Sequence, residues 1–101
     1  MDGGVVITVG LDEIDASGRK ILDEEMDKLG LKKQGKSSES HDLIYPEGTY
    51  VRCVDIADSM DQLKHYYHSL VEVMKKHGLR GRYMVWIASD LHLVCGNIRN
   101  A

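Results

Sequence analysis

Five consecutive residues, Val5-Val6-Ile7-Thr8-Val9, limit what this chain can become more than any other feature. All five are β-branched, which restricts χ1 and favours extended backbone. The run does not alternate with polar residues, so it reads as a buried strand rather than a half-wet one. The rest of the chain must therefore cover it.

A helix is expected from about Ala16 to Leu29, capped by Asp15 or Ser17 and striped with Ile21, Leu22, Met26 and Leu29. Gly30 suits the left-handed residue that ends it. The stretch from Lys32 to Ser40 has no apolar residue and reads as a polar loop. Asp42 to Tyr45 and Thr49 to Ile56 read as two strands of a hairpin, with Pro46-Glu47-Gly48 as the turn. Ser59 and Gln62 have the spacing of a capping box. They open a second helix, about Met60 to His77, with Leu63, Tyr67, Leu70, Val71 and Met74 on its buried side and Gly78 after it. Arg82 to Ala88 forms a further strand, and Leu91 to Cys95 a short C-terminal one.

The order strand, helix, strand, strand, helix, strand is the split βαβ pattern of the ferredoxin-like fold. The expectation is an α+β domain over residues 1–101: a four-stranded antiparallel sheet, two helices on one face, and a short extra strand. The second face of the sheet then meets water, the C-terminal strand or a partner, and a homodimer would cover it.

Composition narrows the class. The chain has 101 residues, one proline, 43% hydrophobic and 29% charged residues, which fits one globular domain and excludes a disordered or collagen-like chain. No apolar run approaches the roughly 20 residues of a membrane span. Met1-Asp2-Gly3-Gly4 lacks the basic start of a signal peptide. Cys53 and Cys95 read as reduced thiols packed as small hydrophobes, so the expected compartment is the cytoplasm.

Charge is unevenly spread. Residues 1–31 carry eight acids against three bases, whereas the remainder carries a slight basic excess. The whole chain fails the test of a basic stripe that a nucleic-acid binder normally passes. Local basic clusters remain at Lys32, Lys33 and Lys36 and at Lys75, Lys76, Arg80 and Arg82.

Three constellations could carry chemistry. At one pole the topology gathers Asp12, Glu13, Glu47, Lys76, His77, Arg80 and Arg82, a mix able to hold a divalent ion and grip phosphates, or to form surface ion pairs. Along the second helix, Asp61, His65, His68 and Glu72 fall on one face. His65, His68 and Glu72 are metal candidates by residue type, but they come from a single element. His41 and His92 stand alone. No phosphate-loop, dinucleotide or nucleophile-elbow motif is present, and no cofactor is implied. Tyr50 and Trp86 are the only candidates for base stacking on the sheet.

Gly10-Leu11-Asp12 after the first strand, the acid-rich helix, Asp42-Leu43-Ile44-Tyr45-Pro46 and Tyr83 to Ile87 occur in an order that resembles small stand-alone ferredoxin-like proteins. The pattern is similar to the GhoS-type endoribonuclease antitoxins and to the small nucleases of CRISPR spacer acquisition. The latter resemblance implies a metal-serving aspartate at Asp12. Two function classes follow. The favoured one is a non-catalytic interaction protein, as in phage or mobile-element inhibitors such as anti-CRISPR proteins. Its carboxylates Asp12, Glu13, Asp15, Asp23, Glu24 and Asp27 would imitate a phosphate backbone and engage the basic surface of a nucleic-acid-handling protein. The other is a dimeric endoribonuclease acting on RNA, with Asp12 serving the metal or orienting the attacking group and Arg80 and Arg82 holding phosphates.

Overall fold

The computed structural model describes residues 2–12, 16–36, 42–55 and 59–88. They form β1 (Asp2–Leu11), α1 (Ala16–Lys28), β2 (Gln34–Lys36), β3 (Asp42–Ile44), β4 (Thr49–Asp55), α2 (Ser59–Lys76) and β5 (Gly81–Ala88). The Val5–Val9 run lies inside β1, which is the middle strand of a three-stranded antiparallel sheet ordered β4-β1-β5. The domain is α+β.

Register assigns the two faces of the sheet. Val5 lies opposite Arg52 and Ile87, Ile7 opposite Tyr50 and Val85, and Val9 opposite Tyr83. Residues directly opposite one another share a face. This face receives both helices: Val5, Ile7, Val9 and Tyr50 form one buried cluster with Leu22 and Met26 of α1 and Tyr66, Leu70 and Met74 of α2. On the other face Val6 lies opposite Val51 and Trp86, and Thr8 opposite Thr49 and Met84. Val6 and Val51 are buried there, whereas Trp86 and Met84 are exposed.

Both helices end on the same device. Leu31 N–H donates to Met26 O and Gly30 N–H to Asp27 O, and Leu79 N–H and Gly78 N–H repeat the pattern onto Met74 and Lys75. These are Schellman closures, with the glycine at positive φ in each.

Four expectations are corrected. The polar stretch after α1 is not all loop: residues 34–36 are a strand, and Lys32 forms an antiparallel bridge with Val51. The strand at 42–44 pairs with β2 rather than with β4, so the 46–48 turn connects two sheets instead of closing a hairpin. The turn itself forms, with Thr49 N–H donating to Pro46 O at 3.0 Å. On α2 the buried stripe is Tyr66, Leu70 and Met74, while Tyr67 is exposed at the margin against Tyr83. Arg52 sets this helical phase, because its guanidinium donates to the Tyr66 hydroxyl at 2.8 Å and to Leu29 O at 3.1 Å. Cys53 is exposed on the face away from the helices, opposite Gly4, rather than packed as a small hydrophobe. The expected strand Leu91 to Cys95 lies outside the described residues.

Candidate functional site

The acid-rich helix presents its carboxylates in two ways. Asp23 points inward and is used by the fold. Its side chain accepts the Tyr50 hydroxyl proton at 2.5 Å and holds Lys33 Nζ at 2.9 Å. Glu25 is held by Lys28 at 3.2 Å and lies 3.5 Å from His77 Nε2. Lys28's hydrogen bond, opposed by partial desolvation and helped by His77, keeps Glu25 below the usual carboxylate range. Asp27 pairs with Lys32. Glu24 and Asp12 are exposed. The row is therefore not a bare series of anions: three of its members are answered by lysines at the end of α1 and just beyond it. Glu13 and Asp15 lie outside the described residues.

Of these lysines, Lys33 lines a cavity of about 390 Å³ between α1, β2 and the 46–48 turn. Arg19, Asp23, Lys33 and Glu47 supply its charge, and Gly48 part of its wall. Arg19 Nε is 3.4 Å from Glu47 Oε1. Its Nη1 is enclosed beneath Gly48 without a hydrogen-bond acceptor among the described residues. Each cation in the cavity already faces a carboxylate, so the arrangement is charge-balanced. Sequence reading missed this group. Asp23 and Tyr50 stand 27 residues apart, and the Ile7–Tyr50 register brings them together.

Tyr50, buried behind Asp23, carries a pH signature. Burial, reinforced by the hydrogen bond to Asp23 and opposed by Arg19, pushes its phenol well above the usual tyrosine range. A raised pKa in the folded state means stability that is full below the unfolded value of about 10 and is lost as pH rises past it. Tyr50→Phe removes this dependence along with one hydrogen bond to a charged group, worth about 1.5–3 kcal/mol. Urea midpoints should show wild type ahead of the variant at neutral pH and the gap narrowing on the alkaline side. A gap that widens with pH would contradict the role given to Tyr50.

The ribonuclease candidates meet at the end of the β1–β5 ladder. Asp12 N–H donates to Arg80 O at 2.9 Å, and Arg82 lies opposite Gly10. All three side chains are exposed. Other members of the expected pole go elsewhere: Glu47 turns to Arg19 and His77 to Glu25. On α2, His65 packs edge-on against Tyr66 and His68 tilts against Tyr67. Among the described residues no group of three or more His, Cys, Asp or Glu side chains could hold a metal ion, so His65, His68 and Glu72 are not gathered into a site. His41 and His92 lie outside the described residues. No described helix is long and apolar enough to cross a membrane. Comparison with protein-family models, curated proteins and solved structures gave no match.

Proposed function

We propose that this chain is a small ferredoxin-like interaction protein that binds the basic surface of a nucleic-acid-handling protein through its acidic first third. The order β4-β1-β5 with both helices on one face suits that fold, and Lys32 stands beside β4 where a fourth strand would lie. The observation that carries the functional reading is the exposure of the carboxylates on and beside α1. Glu24 and Asp12 reach solvent, and Asp27 and Glu47 keep 64% and 80% of their side-chain surface while ion-paired. The Lys32–Asp27 pair is exposed on both sides, and such a pair is worth about 0–1 kcal/mol. Arginines and lysines of a partner can replace Lys32 at small cost and gain steering from the same anions.

The test is purification of the tagged chain with its bound protein, followed by a salt series. A basic partner should elute at moderate salt. Its retention should fall at least about tenfold in the triple variant Asp12→Lys, Glu24→Lys, Asp27→Lys, equivalent to about 1.4 kcal/mol. Binding indifferent to both salt and reversal would remove the reading.

The convergence of Asp12, Arg80 and Arg82 supports a second reading, an endoribonuclease. It requires RNA cleavage by the wild type that Asp12→Ala abolishes. Undiminished cleavage in that variant would reject the role assigned to Asp12.

A further inference from the structure

We propose that the outer edge of β5 is a pairing surface for β5 of a second copy of this chain, antiparallel about a two-fold axis at Met84. The argument begins with the phase of the backbone. Val9 N–H donates to Gly48 O at 2.8 Å, so the odd residues of β1 turn their polar groups toward β4. The even ones turn toward β5, as Asp12 N–H does in reaching Arg80 O. In an antiparallel ladder both polar groups of a residue point to the same side. Arg82, Met84 and Trp86 therefore bond to β1 across the ladder. Gly81, Tyr83, Val85 and Ile87 direct their N–H and C=O groups away from it. Among the described residues β5 pairs with β1 alone.

The two edges of the sheet differ. At β4, Lys32 and Val51 exchange both backbone hydrogen bonds at 2.9 Å, so Lys32 blocks the middle of that edge. At β5 the edge is eight residues long and carries no proline or lysine, and Arg82 is its one charge. Proteins normally blunt such an edge with lysine, proline, a bulge or a short length.

The side chains select the occupant. Opposed residues in an antiparallel pair share a face, which excludes every register that sets an odd residue against an even one. With Met84 on the axis, Tyr83 and Val85 of opposite copies exchange backbone hydrogen bonds, as do Gly81 and Ile87. On the face away from the helices, Arg82 of each copy then lies across from Trp86 of the other, with the two Met84 side chains between them. Met84 and Trp86 are 61% and 40% exposed, so these groups stand ready on the surface. A guanidinium over an indole face is a favourable cation–π pair, here made twice by symmetry. The strand thus answers its own charge, which an arbitrary extended peptide would not.

The experiment reads mass and a cross-link. Light scattering of the full chain should give twice 11.4 kDa, falling to the monomer value in Arg82→Glu and in Trp86→Lys. In a background with Cys53→Ser and Cys95→Ser, Met84→Cys should form a disulfide-linked dimer in air. Opposed residues at a non-hydrogen-bonded site have Cα atoms about 4.5 Å apart, within disulfide range. Arg82→Cys in the same background should not cross-link. These positions are exposed, and circular dichroism establishes that each variant is folded. A monomer at every concentration overturns the proposal, as does a dimer that survives both charge changes and gives no Met84→Cys cross-link. The triple reversal of Asp12, Glu24 and Asp27 should leave the mass doubled, which separates this outcome from failure of the interaction reading.

Discussion

Alanine at position 48 should destabilise the chain by about 3–4 kcal/mol, near the top of what single substitutions do. Gly48 has φ +85°, where a side chain is strained whatever the space around it. That backbone conformation alone costs roughly 1–3 kcal/mol for a residue with a Cβ. Space is also lacking: the Cβ would press on the carbonyl oxygen of Val9 and stand 3.1 Å from Arg19 Nη1. Arg19 can swing aside, but the Val9 carbonyl belongs to the central strand. Val9 N–H also donates to Gly48 O, so a shift of the turn costs that bond too. Thermal unfolding checks the prediction, because at about 4–8 °C per kcal/mol the midpoint should fall by more than about 12 °C. Gly10→Ala is the matched control, with nothing within 4 Å of its added Cβ. If both variants melt together, the close approach at Gly48 is not a constraint.

Leu70→Ala should cost about 2–5 kcal/mol, the range for truncating a large aliphatic residue in a packed core. Leu70 is fully buried, midway along the stripe that α2 turns to the sheet. The loss has two parts, removal of apolar surface from burial and the void left behind. Met74, one turn further on, is flexible enough to fill part of that void, which favours the middle of the range over its top. Met60→Ala removes an equally apolar side chain from the same helix, but at 58% exposure it should change stability by no more than roughly 0.5 kcal/mol. Urea unfolding should move the midpoint and not the slope for Leu70→Ala. A loss below about 1 kcal/mol would mean that α2 does not close the core.

The parts of this fold that show in the sequence are those where side chains do the selecting. Val5 to Val9 reads as a buried strand because the run does not alternate with polar residues, and register bears this out: Val5, Ile7 and Val9 go to the helices while Val6 meets Val51. Gly30 and Gly78 end the helices because the Schellman closure needs a left-handed residue. By contrast β2 is held by backbone hydrogen bonds and contributes no apolar side chain, so no hydrophobic period marks it. Tyr66 and Tyr67 are the same residue in adjacent positions, and pattern alone leaves α2 free to rotate by one residue. The hydrogen bond from Arg52 selects Tyr66, and that choice depends on strand register. The candidate site divides in the same way. Asp12 and Arg80 were placed together by topology, whereas the Arg19, Asp23, Lys33 and Tyr50 group depends on contacts that local sequence does not encode.

The bridge between Lys32 and Val51 also bears on how far association can run. A sheet with two open borders has a valence of two, so strand addition extends it into a filament. Lys32 stands in the path of any strand that would add alongside Val51, so among the described residues β5 is the one border open along its whole length. Pairing at β5 then terminates at two chains, and an apolar border strand can be kept without the charges that other proteins spend on solubility.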